Sequence, residues 1–105
     1  MQRKARVALS RKYKIFEAKR FSTDLKLLAR HRKELLEKKL LEYVYPQLRK
    51  EPYFGPTIKK LREWHPPTWR YRIGDWRFFY IINEVTTVIS MVAAAHRKEA
   101  YRRKR

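Results

Sequence analysis

The stretch that decides the fold is Trp69-Arg-Tyr-Arg-Ile-Gly-Asp-Trp-Arg-Phe-Phe-Tyr-Ile-Ile-Asn83. Its first part alternates apolar and charged residues, which is the period-2 pattern of a half-buried strand. Gly74-Asp75 follows, and glycine at the first of two loop positions is typical of a type II′ hairpin turn. Trp76 to Asn83 is then a second β-prone run. The sequence therefore predicts a β-hairpin with a two-residue loop.

A two-residue loop fixes which side chains stand opposite one another. Arg72 falls directly opposite Arg77, and Arg70 lies on the same face. Like charges in such a pair repel by a few tenths to about 1 kcal/mol. The cost is explained if an anion binds between the guanidiniums, because arginine binds phosphate in a bidentate geometry. The alternative is that the long side chains spread into solvent, where the repulsion is small.

The other face of the hairpin is apolar and is expected to form the core beneath the helices. Its side chains are Trp69, Tyr71, Ile73, Trp76, Phe78 and Tyr80. Thr86 to Ala95 is a third β-prone segment, which follows a turn at Asn83-Glu84 and completes a three-stranded meander.

Upstream of the hairpin the apolar residues take a helical period. They recur at spacings of three, four and seven: Leu25, Leu28, Leu35, Leu36, Leu40, Val44 and Leu48. Ser22 and Thr23 are the predicted N-caps, with Asp24 in the first turn. The basic residues Arg30–Arg32 are a candidate joint between two helices, and Pro46 should end or kink the segment.

The order of elements predicts the fold class. Lys12 to Ala18 alternates charged and apolar residues, so we expect an N-terminal strand. Lys50 to Pro67 is read as an irregular connection with a short turn at Ile58 to Leu61. The predicted fold is α+β: a small antiparallel β-sheet, made of the N-terminal strand and the C-terminal three-stranded meander, with an N-terminal helical pair packed on one face. Met1 to Arg11 is predicted to be a basic arm, and residues 12–105 a single domain.

Charge indicates the class of partner. The 105 residues include 28 Lys and Arg against 10 Asp and Glu, a formal net charge of +18. Such an excess opposes folding by self-repulsion, so a polyanionic partner is a better explanation than solubility alone. Nucleic acid, an acidic protein and an anionic membrane all satisfy the charge.

Location follows from what the sequence lacks. There is no cysteine, so disulfides and thiolate metal sites are excluded. Val85 to Ala95, the most apolar stretch, is too short to span a bilayer, and Met1 to Ser10 lacks the apolar core of a secretory signal. We expect a cytoplasmic protein with no membrane partner.

The end of the chain adds to the arginine face by topology. A strand antiparallel to the second hairpin strand returns its C-terminal end beside Trp76, which is expected to bring Arg97, Tyr101 and His96 to the edge of that face. A phosphate-binding arginine pair, a phenol, an imidazole and further cations would then lie together. These groups suit cleavage of the RNA backbone, which needs an activated 2′-oxygen, a neutralised phosphate and a protonated 5′-oxygen leaving group. The sequence shows no carboxylate pair and no His/Asp metal cluster, so no metal or cofactor is expected.

These residues carry a resemblance to a known family. The hairpin stretch, followed by a strand and then His96-Arg-Lys-Glu-Ala-Tyr101, resembles the RelE branch of the RelE/ParE toxin superfamily. Ile58-Lys-Lys-Leu61 and Phe21-Ser-Thr-Asp-Leu25 also fit the family pattern, and the resemblance spans about Tyr13 to Tyr101. The Arg-Ile-Gly-Asp-aromatic-Arg string is its specific part.

The resemblance implies a metal-independent endoribonuclease that cleaves messenger RNA in the decoding site of the ribosome and is held in check by a cognate antitoxin. Arg72 and Arg77 would stabilise the scissile phosphate, Arg97 would support the leaving group, and Tyr101 would help to activate the 2′-hydroxyl. His96 is the rival to Tyr101, because imidazole titrates near neutrality. Further basic residues are expected to bind RNA, including 16S ribosomal RNA: Arg70, Lys98, Arg102 and Arg103.

Two other functions fit part of the pattern. A ParE-like toxin that inhibits DNA gyrase shares the fold but generally lacks the full basic and tyrosine set. A plain RNA-binding or ribosome-associated protein would use charge and stacking aromatics without cleavage. The large positive charge also predicts that a neutralising antitoxin is acidic.

Overall fold

A mixed five-stranded β-sheet is the centre of the fold. The computed structural model describes residues 13–28 and 33–97, and the side chain at position 33 is outside that description. The strands are β1 (Lys14–Glu17), β2 (Ile58–Lys60), β3 (Trp69–Ile73), β4 (Trp76–Asn83) and β5 (Val88–His96), in the spatial order β1-β5-β4-β3-β2. The helices lie between β1 and β2 in the sequence, so the α+β prediction is confirmed.

The predicted hairpin is confirmed in its bounds and its register. β3 and β4 pair antiparallel, with Arg72 opposite Arg77 and Ile73 opposite Trp76. Gly74 has φ of 59°, whereas Asp75 does not have a positive φ. A positive φ at the first loop position only is the type II′ turn, whose twist matches that of the two strands.

Replacing the turn glycine should cost stability without any clash. A Cβ at Gly74 would meet no atom within 4 Å, so the penalty for Gly74→Ala is conformational. We expect the free energy of unfolding to fall by about 1–2 kcal/mol, because an L-residue is strained at this φ. Urea denaturation would measure the loss. Asp75→Asn, at the next position, should change stability by less than about 0.5 kcal/mol, and an equal effect of both variants would contradict this account of the turn.

Two features of the sheet differ from the antiparallel, four-stranded prediction. β1 pairs with β5 in parallel, with Ile15 beside Ile89. The segment predicted as a turn at Ile58 to Leu61 contains β2, which pairs antiparallel with β3 and forms the sheet edge. Three residues with two adjacent lysines carry too little strand signal to be recognised in sequence.

The helical region consists of four consecutive elements: α1 (Lys19–Leu28), α2 (Lys33–Lys39), a π-helical turn (Leu40–Val44) and α3 (Tyr45–Lys50). The predicted N-caps are wrong, since the N–H of Ser22 already donates to the carbonyl of Ala18. Ala18 itself donates to Met91 of β5, so pairing with the sheet sets where α1 begins. The predicted joint at Arg30–Arg32 lies outside the described residues.

Pro46 does not end the helical segment; it lies in the first turn of α3, directly after the π-helical turn. Proline has no N–H to donate to the carbonyl four residues earlier. The preceding turn is π-helical, and Tyr45 donates to Leu40, five residues back. Helical φ and ψ continue through this turn into α3, so the wider hydrogen-bond ring accommodates the proline.

The core lies between the helices and one face of the sheet. The predicted apolar face is confirmed: Tyr71, Phe78 and Tyr80 are buried in it, and Trp69, Ile73 and Trp76 pack against it. Within the described part of the chain, no helix is long and apolar enough to cross a membrane. The helices therefore cover one sheet face, called the helix face below, and leave the opposite, outer face for other contacts.

Candidate nucleic-acid interface

The outer face brings together cations from three neighbouring strands. Arg72 and Arg77 form a directly opposed pair on β3 and β4, so their side chains share one face. Arg70 lies on that face by alternation along β3, and Lys59 of β2 is paired with it. Arg72 is exposed, Arg70 is half-buried and Arg77 is buried. The contribution of Lys59 was missed in sequence because β2 was not recognised as a strand.

Arg77 is held rigidly at the end of the hairpin. Its side chain is 8% exposed, and one guanidinium nitrogen donates to the carbonyls of Gly74 at 3.0 Å and Trp76 at 3.1 Å. A buried guanidinium is stable only with such polar partners. The two carbonyls thus fix the orientation of a positive charge, and a fixed charge stabilises an anion without first having to reorganise.

The end of β5 meets the hairpin turn. The backbone N–H of Arg97 donates to the Asp75 carbonyl at 2.7 Å, and the Arg97 Nε lies 3.8 Å from the Asp75 carboxylate. Arg97 and Asp75 are both more than half exposed. The structure therefore places Arg97 at the hairpin end, as the topology predicts. Asp75 was not predicted as part of this cluster, and only its position in the turn could have indicated it.

His96 does not lie on the arginine face. It is paired with Trp76, its ring meets the Trp76 ring edge-on at 5.5 Å, and its Nε2 is 4.0 Å from Asp75. Trp76 belongs to the helix face, so His96 lies on the helix side of the sheet.

The reason for this placement is a β-bulge. The register of β4 with β5 shifts between Phe79 and Tyr80. Phe79 is paired with Ala93 and Tyr80 with Met91, so Val92 is the extra residue of the bulge. An extra residue reverses the alternation of side chains beyond it. The bulge therefore turns His96 away from the outer face, where unbroken alternation from Ser90 would have placed it.

Four of the predicted site residues cannot be located in this way. Tyr101, Lys98, Arg102 and Arg103 lie outside the described residues, as does the predicted arm Met1 to Arg11. Across the part of the chain that is described, no group of three or more His, Asp or Glu side chains is arranged to hold a metal ion.

The outer face also has an apolar part beside the arginines. Phe79 stands opposite Arg70 and forms a small cluster with Ala93 and Ala95. The loop between β2 and β3 folds over this cluster, and the Trp64 ring stacks on Phe79 at 5.7 Å with an interplanar angle of 11°. The proline-rich connection, which has no sequence periodicity, gave no sign that one of its side chains returns to the sheet.

Four tyrosines have a raised pKa, which makes them poor general bases at neutral pH: Tyr13, Tyr45, Tyr53 and Tyr80. Burial, followed by a hydrogen bond to Glu84, raises the pKa of Tyr53 to about 12. Burial is also the first cause that raises the pKa of Tyr13, Tyr45 and Tyr80 above the ordinary value. The hydroxyls of Tyr13 and Tyr53 both donate to Glu84. These phenols are protonated at neutral pH and act as structural donors.

Solved structures share this architecture. The RelBE2 toxin–antitoxin complex from Mycobacterium tuberculosis has a TM-score of 0.66 at 24% identity, covering 81% of this chain and 91% of that chain. The E. coli toxin RelE, in a double arginine-to-alanine mutant, has a TM-score of 0.60 at 18% identity, covering 88% and 90%.

An archaeal RelE–RelB complex from Pyrococcus horikoshii OT3 has a TM-score of 0.51 at 27% identity, covering 85% of this chain and 99% of that chain. No protein-family model and no curated protein matches the sequence. The likeness therefore rests on the arrangement of the helices and the sheet.

Proposed function

Because the chain has the fold of the RelE-like toxin superfamily, we propose that it is the toxin of a type II toxin–antitoxin system and an endoribonuclease that cleaves messenger RNA on the ribosome. The observation that carries the proposal is the arginine pair Arg72 and Arg77, which stand side by side on the face that the helices leave open. Their mutual repulsion is relieved when a phosphate lies between them.

The arrangement suits phosphate-ester cleavage by the RNA's own 2′-oxygen. The 2′-hydroxyl loses its proton to a base as its oxygen bonds to the adjacent phosphorus, the bond from phosphorus to the 5′-oxygen breaks, and the 5′-oxygen takes up a proton; the products are a 2′,3′-cyclic phosphate and a 5′-hydroxyl. Negative charge grows on the phosphate oxygens in the transition state, and guanidiniums fixed beside them stabilise it. Arg77, held by two carbonyls, supplies this fixed charge, and the exposed Arg72 completes a bidentate contact.

Two further roles follow from the resemblance to the RelE branch. Arg97, which lies at the hairpin end, would support the leaving group, and Tyr101 would help to activate the 2′-hydroxyl. We leave His96 out of the reaction, because the bulge turns it to the helix side of the sheet.

Mapping messenger 5′ ends after a brief pulse of expression tests the proposal. We expect new ends at regular positions within translated codons. Intact messenger with inhibited DNA supercoiling would instead support a ParE-like gyrase inhibitor. Intact messenger with uninhibited growth would support a plain RNA-binding protein.

RNA affinity should depend on salt through the arginine face. For single strands the slope of log K against log salt is about −0.7 for each neutralised phosphate. We expect Arg72→Ala to weaken binding of a single-stranded RNA and to reduce the slope by about 0.7. Lys38→Ala removes the same charge from an exposed position on α2, away from the outer face. It should leave the slope unchanged, and a slope altered equally by both variants would contradict a localised contact.

A toxin of this type needs a neutralising partner. The RelBE2 structure is a toxin–antitoxin complex, and the archaeal structure is a complex of RelE with RelB. The net charge of +18 leads us to propose an acidic antitoxin whose charge speeds encounter. An acidic protein encoded beside this chain should co-purify with it and restore growth. A protein that co-purifies but does not restore growth would contradict its proposed role as the neutralising antitoxin.

A further inference from the structure

The loop residue Trp64 is placed at an energetic cost. Glu63 has a φ of 58°, which lies in the left-handed region that residues other than glycine and asparagine rarely adopt. The Trp64 indole N–H is buried and has no hydrogen-bond partner among residues 13–28 and 33–97. Leucine at this position would fill apolar space without a buried donor. Strain and an unsatisfied donor at one place indicate that the ring serves more than packing.

The position of the ring relates it to the arginines. Trp64 stacks in parallel on Phe79, and Phe79 is paired with Arg70. Arg77 lies two residues before Phe79 on the same strand and face, a separation of about 7 Å along a strand. Trp64 is only partly buried. The aromatic surface formed by Trp64 and Phe79 therefore lies about one nucleotide spacing from the arginine pair, Arg72 and Arg77.

We propose that Trp64, supported by Phe79, stacks with a base of single-stranded RNA whose phosphate is bound by Arg72 and Arg77. This inference rests on the proposed RNA-binding function and adds a positioning contact to it. Phosphate contacts fix the register of a strand but are indifferent to its bases, whereas stacking holds one base and is tolerant of its identity. Trp64 would thus fix where the strand lies relative to the arginines.

Fluorescence of the full chain tests this contact with an octamer of adenylate and with inorganic polyphosphate, which has charge but no bases. Binding of the octamer should quench tryptophan emission, and polyphosphate should not. Trp64→Phe should remove most of that quenching, while Trp69→Phe, whose ring packs on the helix face, should retain it. Quenching that survives Trp64→Phe would overturn the proposal.

Affinity provides the second measurement. Trp64→Leu should weaken binding of the octamer by about tenfold, which lies within the range for loss of one stacked base, with an unchanged salt slope and unchanged affinity for polyphosphate. Equal losses for both ligands would show that Trp64 only supports the arginines. If Trp64→Leu does not fold, the loss of octamer-induced quenching in Trp64→Phe is the measurement that tests the proposal. Messenger cleavage that persists with wild-type octamer affinity in Trp64→Leu would reject the stacking contact and leave the nuclease proposal standing.

Discussion

Arg77→Ala is expected to lower the rate of messenger cleavage by about 10²–10³-fold, the loss typical when one fixed donor to a developing oxyanion is removed. Arg77 is the most rigidly held cation of the outer face, since it is buried and bound to the carbonyls of Gly74 and Trp76. Its removal leaves Arg72 without its directly opposed partner at the phosphate. Primer extension on messenger from cells that express the variant would measure the loss.

The buried position of Arg77 requires controls for folding. Arg77→Lys keeps the charge, but one ammonium cannot reproduce a forked guanidinium that meets two carbonyls and a phosphate. We expect at least a tenfold loss with a thermal midpoint closer to that of the wild type. Lys38→Ala should cleave at the normal rate. Full cleavage by a folded Arg77→Ala protein would remove Arg77 from the reaction.

Phe78→Ala is expected to have the largest effect on stability. Phe78 is 0% exposed, lies on the helix face and contacts the Phe21 ring of α1 edge-on at 6.1 Å. Truncation of a buried phenylalanine costs about 3–5 kcal/mol, which is a large share of the 5–15 kcal/mol that stabilises an ordinary domain. The urea midpoint should fall by about 1 M or more.

A matched control lies at the edge of the same sheet. Phe16 of β1 is 57% exposed and its side chain faces away from the core. Phe16→Ala should change the free energy of unfolding by no more than about 0.5 kcal/mol. Similar losses in the two variants would contradict the division of the sheet into a buried and an open face.

Local chemistry explains which parts were predictable. The hairpin bounds and the opposition of Arg72 and Arg77 follow from Gly74-Asp75 alone, because a two-residue turn determines its own register. The period of the helical apolar residues likewise predicts the buried face formed by Leu25, Leu36, Leu40, Val44 and Leu48, whereas Leu35, assigned to the same face, is 46% exposed. These features depend on residues that are close in sequence.

Distant partners explain what could not be predicted. Asp24, expected in a first helical turn, is buried inside α1 and accepts the backbone N–H of Ala94 at 3.0 Å, 70 positions away in the chain. β1 joins β5 only through tertiary packing. The bulge that turns His96 to the helix face depends on how two strands fit together, and neither strand signals it alone.

Cleavage by the purified protein tests the central claim most directly. Full-length protein would be added to ribosomes stalled with a defined codon in the decoding site, and the messenger would be read by primer extension. The arginine-face account predicts one cut within that codon, absent with Arg77→Ala and absent from the same messenger without ribosomes. Messenger that stays intact at equimolar protein and ribosome would contradict it.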